Sequence, residues 1–212
     1  MGIRELLKNQ ILYLDGGMGT LLQAAGLAAG EHPERWNLTH PEMIQAIHRD
    51  YFNAGSHVVN TNTFGANSLK FSDAELEAII RAAVQNAKQA RTESCSTQEK
   101  FIALDIGPTG KLLKPYGDLD FEDAVSIFAK IVRIGVACGV DLIMIETMSD
   151  SYETKAALLA AKGILSSAEY SELEAKVYKT AETVKPANEL AEKYEEKYRK
   201  WRKLYPAISG IK

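Results

Sequence analysis

Four short stretches of this chain carry side chains able to do chemistry, and each follows a strand-like run. Ile11-Leu12-Tyr13-Leu14 leads into Asp15, Gly16, Gly17 and Gly19. His57 to Asn60 leads into Thr61-Asn62-Thr63-Phe64-Gly65, Phe101 to Leu104 into Asp105-Ile106-Gly107-Pro108, and Ile143 to Ile145 into Glu146-Thr147. An apolar run ending in polar groups reads as a buried strand whose carboxyl end faces a ligand, the place where α/β folds bind small molecules. Asp15 is suited to accept hydrogen bonds from an ammonium group, or alternatively to cap its own turn. Gly16, Gly17 and Gly19 let the backbone turn sharply and bring amides close to a carboxylate. Glu146 after Ile145 is costly unless it faces a polar mouth or is paired. Thr61, Asn62 and Thr63 offer short polar arms, although Asn60 and Asn62 also suit a purely structural role on loop amides. Phe64 suits either pocket lining or a cap on the core, and its polar neighbours and Gly65 favour the pocket.

Other chemistries find little support. The glycines do not match a dinucleotide fingerprint, and no Gly-Lys-Ser/Thr follows to cradle phosphates. The histidines His32, His40, His48 and His57 form no close ligand pair, and His48, between Ile47 and Arg49-Asp50, reads as solvent-facing. Two cysteines, Cys95 and Cys138, with no C-x-x-C, argue against a disulfide framework and for a reducing, cytoplasmic setting. Cys138 reads as a buried helix residue and Cys95 as lying at a helix end. A net charge of −3 on 212 residues provides no basic field for nucleic acid. No segment is long and apolar enough to span a bilayer, and Arg4, Glu5 and Lys8 interrupt any leader-like run.

The elements that must position these groups alternate. A lead-in helix is expected over residues 1–10, with Ile3, Leu6 and Leu7 on the core. Strands are expected at Ile11–Leu14, His57–Thr61, Phe101–Asp105 and Asp141–Ile145. A short helix through Leu21, Leu22 and Ala25 follows the first strand, and Gly26 to Leu38 reads as loop. The next helix begins with Thr39 as N-cap, Pro41 in the first turn and Glu42 at the capping-box position, with Met43, Ile44, Ile47 and Tyr51 along one face. Helices follow over Asp73–Arg91 and Phe121–Cys138, the latter capped by Asp120 and striped by Val125, Phe128, Ala129, Val132 and Val136. Another helix runs from about Ser151 to Gly163. This is the βα alternation of a parallel sheet, with the four polar strand ends at one edge. After Gly163 no strand-like segment appears. Residues 165–184 and 187–205 read as helices, the second with Leu190, Tyr194, Tyr198, Trp201 and Tyr205 on one face.

At this point the motifs are recognisable together. Leu14-Asp15-Gly16-Gly17-Met18-Gly19-Thr20, Trp36-Asn37-Leu38-Thr39-His40-Pro41-Glu42, Ala54-Gly55 and Thr61-Asn62-Thr63-Phe64-Gly65-Ala66-Asn67 occur in order. Ile106-Gly107-Pro108-Thr109-Gly110 and Ile145-Glu146-Thr147 complete the set. Over residues 10–162 the chain resembles the homocysteine S-methyltransferase family, and within it the homocysteine-binding domain of cobalamin-dependent methionine synthases. The resemblance implies a (β/α)8 barrel, with a zinc ion on three cysteine thiolates activating the homocysteine thiol for methyl transfer to give methionine. Methylcobalamin is the donor in the cobalamin-dependent members. It also implies that Asp15 and Glu146 bind the amino-acid end of homocysteine, with Gly16 and Gly17 as the adjacent turn and Thr63 and Phe64 as pocket wall.

The departures are equally specific. Neither the Gly-x-Asn-Cys-like motif nor the Cys-Cys motif that supply the family's zinc thiolates is present. The expectation is therefore a partial (β/α)8 TIM barrel: its first four βα units over residues 1–163, then a helical extension over 164–212. Lys200-Trp201-Arg202-Lys203-Leu204-Tyr205-Pro206-Ala207 is faintly similar to the terminal helix of xylulokinase-type sugar kinases. No cofactor is expected on this chain, homocysteine binding is expected to be weak, and methyl transfer by the chain alone is not expected. The other readings are a binding or assembly subunit completed by a complementary barrel half, and a gene remnant. Two open strand edges lead further to an expectation of self-association.

Overall fold

The structure, a computed structural model, describes residues 2–164. Helices α1 (Ile3–Asn9) and α2 (Met18–Ala24) are followed by a 3-10 turn (Pro33–Arg35), α3 (Trp36–Thr39) and α4 (Pro41–Asn53). Then β1 (Val58–Asn60), α5 (Asp73–Glu93), β2 (Phe101–Ile106), α6 (Phe121–Ala137), β3 (Leu142–Ile145) and α7 (Ser151–Ile164) alternate. The strands form one parallel sheet in the order β1-β2-β3. Val58 lies beside Phe101, and Ile106 beside Ile145. β2 is buried at every residue, as expected for the middle strand of a parallel sheet under helices.

The sheet has three strands where four were expected. Leu14 makes a single parallel bridge to Val58. The His57 and Val58 amides both donate to the Tyr13 carbonyl, and the Asp15 amide donates to the Val58 carbonyl at 2.9 Å. The Tyr13 amide is taken by the His57 imidazole Nδ1 at 3.3 Å instead of a backbone carbonyl. β1 is itself only three residues long, so Ile11–Leu14 finds little ladder to join. Ile11, Tyr13 and Leu14 remain 76%, 62% and 50% exposed.

Helix starts and faces show where tertiary packing overrode local signals. Ser72 caps α5, its hydroxyl accepting from the Glu75 amide, and Leu76, Ile79, Ile80, Ala83, Val84 and Ala87 form the expected buried face. Thr39 does not cap α4. It closes α3 and its hydroxyl donates back to the Arg35 carbonyl, so His40 holds the cap position of α4 without a side-chain capping bond. Residues 26–38 are correspondingly not a plain loop, since the 3-10 turn and most of α3 lie there. Asp120 stands at the N-cap of α6 without capping it, its carboxylate pairing with Lys114. The buried face of α6 is Ala124, Ile127, Phe128, Ile131, Val132 and Gly135; it shares Phe128 and Val132 with the expected stripe, Val125 and Ala129 pack at its margin, and Val136 is exposed. Gly135 is the close approach: a Cβ there would lie 2.5 Å from Leu104 of β2. In α1 Leu6 is buried and Leu7 exposed. Cys138 is half-buried at the end of α6, and Cys95 is exposed just past α5. No helix among the described residues is long and apolar enough to cross a membrane. The expected tail helices and their Leu190–Tyr205 face lie outside the described residues.

His48 reverses its expectation most sharply. Ile44, His48 and Phe52, spaced four apart, are all fully buried on one face of α4. Neither ring nitrogen of His48 has a hydrogen-bond partner. Burial pushes its pKa down from 6.5 to about 4. As pH falls from 6.5 towards 4, the unfolded chain therefore gains a proton that the folded chain refuses, and stability is lost. His48→Leu should remove this acid limb. In thermal melts it should exceed the wild type by about 1–3 kcal/mol at pH 4.5, with the gap shrinking towards pH 7.5.

Candidate functional site

Because the strands are parallel, their carboxyl ends meet at one edge of the sheet. A cleft of about 230 Å³ opens there. It is lined by Asp15, Gly16, Gly17, Met18 and Gly19, by Pro33 and Glu34, by Asn60, Thr61, Asn62 and Phe64, and by Asp105 and Glu146. Each group arrives by a definite backbone route. Asp15 follows the Leu14 bridge, and its Oδ2 accepts from the Asn60 amide at 2.8 Å. Tyr51 of α4 donates its hydroxyl to the Gly17 carbonyl at 3.3 Å and fills the space a side chain at Gly16 would need. Glu146 follows β3, its amide donating to the Ile106 carbonyl at 3.1 Å. Thr147 then turns the chain with φ of 53°, a left-handed conformation uncommon outside glycine.

The loop after β1 is fastened from behind. The Thr63 hydroxyl donates to the Asp105 carbonyl at 2.7 Å and pairs with Thr61, whose Oγ1 accepts from the Asp105 amide. Thr63 is 1% exposed and is not among the cleft-lining residues. Asn37 donates to the Asn62 carbonyl, and Asn62 donates to the Pro33 carbonyl. These bonds pull the 3-10 turn against the strand ends and bring Glu34 in. Glu34 is 5% exposed, and its Oε1 accepts from the Gly65 amide at 2.7 Å. The Gly107 amide donates to the Phe64 carbonyl at 3.1 Å. A Cβ on Gly107 would meet that carbonyl at 2.7 Å and the Phe64 ring at 2.5 Å.

Asp15, Gly16, Gly17, Phe64 and Glu146, singled out from the sequence, thus line one cleft, and Thr63 supports it from behind. Two carboxylates were not among the six residues assigned to ligand binding. Asp105 was visible as a polar strand end. Glu34 had no spacing signal, since only the tertiary hydrogen bonds bring its turn to the cleft. No lysine, arginine or histidine is among the described lining residues. The acids therefore act on one another. Burial, with a smaller contribution from the Glu146 charge, pushes Asp15 from 3.8 up to about 7, although the Asn60 amide and its own amide pull the other way. Burial, then Glu146, Asp15 and Glu34, pushes Asp105 up to about 8. Such a cleft can hold protons or receive a cation. Among the described residues no group of three or more His, Cys, Asp or Glu is placed to hold a metal ion.

Comparison with known proteins places the fold and the family. The model of the homocysteine S-methyltransferase family matches residues 12–201. The fold is similar to that of the homocysteine methyltransferase MmuM from Escherichia coli. Its oxidized form superposes with a TM-score of 0.67 at 26% identity, over 76% of this chain and 61% of that one. Its apo form gives 0.62 at 27% identity, over 76% and 59%. The chain therefore spans about three fifths of the length of the MmuM structures it matches.

Two outcomes follow from this geometry. The unfolded carboxyls ionise near pH 3.8, whereas the folded ones keep protons to about 7 and 8. Stability therefore falls as pH rises through that window. In denaturant titrations Asp105→Asn should be about 1–3 kcal/mol more stable than the wild type at pH 9, with the difference shrinking by pH 5. Gly107→Ala must push the Phe64 loop aside. It should cost about 1–3 kcal/mol by the same measurement, at either pH.

Proposed function

This chain belongs to the homocysteine S-methyltransferase family, and we propose that its cleft takes the amino-acid end of homocysteine. One observation carries the reading: Asp15, Glu34, Asp105 and Glu146 converge on a cleft whose described lining includes no basic side chain. Carboxylates that repel one another gain most from a ligand ammonium, which brings one positive charge and three N–H donors. Asp15 and Glu146 are the partners for that ammonium. The Gly16–Gly17 turn supports the ligand's carboxylate, and Phe64, 41% exposed at the rim, covers its apolar stem.

The zinc ion of this family requires thiolates, and the residues here do not fit it. The chain has two cysteines, Cys95 and Cys138, and neither lines the cleft. Accordingly, we propose that the chain binds homocysteine without turning it over. Methyl transfer to the thiol then requires groups from a complementary segment, in keeping with a chain that spans about three fifths of MmuM.

Calorimetric titration with homocysteine at pH 7.5 tests the reading. Weak binding is expected, with a Kd on the order of 0.1–10 mM, and Asp15→Asn or Glu146→Gln should weaken it about tenfold or more. Unchanged affinity in both variants would remove the cleft from consideration. With methylcobalamin supplied, the chain alone should form no methionine. Turnover that disappears on Asp15→Ala would overturn the proposed inactivity.

A further inference from the structure

The four acids of the cleft are not equivalent. The Asp15 carboxylate accepts from the Asn60 amide at 2.8 Å and the Glu34 carboxylate from the Gly65 amide at 2.7 Å. Glu146 is half-buried at the end of β3. Asp105 is 6% exposed, and its Oδ1 is shut off from water with no hydrogen-bond donor in reach. Its backbone is held on both sides, the amide by Thr61 and the carbonyl by Thr63, which fixes its Cα at the strand end beside the cleft. The charged groups acting on it are Glu146, Asp15 and Glu34, all of them acids. An ionised carboxylate in that position has no donor for Oδ1 and only other acids around it. Asn60, which also lines the cleft, contributes a second buried oxygen with no donor.

We infer that Asp105 keeps its proton in the free protein and releases it to solvent when a ligand's ammonium group enters the cleft. The inference rests on the cleft's reading as an amino-acid site. It adds that occupancy there is an exchange of a proton for an ammonium, so charge in the cleft is nearly conserved. No covalent bond changes: the carboxyl O–H proton passes to buffer, and the carboxylate left behind faces the ligand's positive charge. Burial and the three neighbouring acids, which push Asp105 up to about 8, set the window. Below that pH the ligand must displace the proton, so affinity rises with pH. Above it the acid is already ionised and the release disappears.

Calorimetry with homocysteine at pH 7 in phosphate and in Tris counts the protons released. About 1 proton or more per ligand is expected for the wild type, part of it from Asp15, and about 0.5–1 proton fewer for Asp105→Asn, with affinity reduced several-fold. Binding without proton release, or release undiminished in Asp105→Asn, would overturn the inference while leaving the homocysteine site intact. Failure of the wild type to bind homocysteine at all would overturn the underlying reading of the cleft. Carbon-13 NMR of aspartate carboxyls in the wild type gives a check that does not depend on the variant folding. The Asp105 carboxyl should titrate near pH 8 in the free protein and be ionised at pH 7 with saturating ligand. Titration below pH 5 in the free protein would overturn the inference.

Discussion

Parallel pairing around a fully buried central strand is the constraint on which the other features depend. β2 has β1 on one side and β3 on the other, with α5 and α6 packed against it. A strand enclosed in this way must be apolar to its last residues, and Phe101 to Leu104 satisfy that requirement. Parallel strands also share a direction, so whatever follows each of them is delivered to one edge. Asp15, Asn60, Asp105 and Glu146 arrive there because of the chain's direction and not because of any attraction between them.

That delivery has an electrostatic cost, and the structure offsets it with backbone amides more than with counter-charges. Asp15 and Glu34 each take a backbone N–H, and Asp105 has no such donor for Oδ1. Ion pairs occur elsewhere, on exposed surfaces such as Arg35–Glu75, Arg49–Glu93 and Lys130–Asp73, where they contribute little. The cleft is thus a place where folding has left charge and hydrogen-bonding capacity unused. Sites of function are commonly of this kind. Thr147, turned to positive φ directly after Glu146, marks the same edge as locally strained.

The second layer of the site comes from loops that cross-brace one another. Asn37 and Asn62 connect the 3-10 turn to the loop after β1, and Gly107 connects that loop to the end of β2. Each bond satisfies a buried polar group that would otherwise be costly. Together they give Phe64 and Glu34 fixed positions although neither lies on a strand. The cleft walls are thus tied to one another although their residues lie on loops.

The sequence by itself determined the alternation of elements, the direction of the sheet and the polar strand ends, because hydrophobic period and glycine placement are local properties. The α5 face and the convergence of Asp15, Gly16, Gly17, Phe64 and Glu146 were legible for that reason. Other features were decided only in three dimensions. Ile11–Leu14 had the composition of a strand, but the short β1 gave it one bridge. α6 is apolar over so much of its surface that its face was settled by which residue, Gly135, could approach Leu104. His48 lies between Ile47 and the polar pair Arg49-Asp50, yet it shares a helical face with Ile44 and Phe52, and packing buried it. Glu34 reached the cleft through hydrogen bonds between segments far apart in the chain. Which side chains lose water, and which acids then face one another, depends on contacts between distant residues, and no local pattern records them.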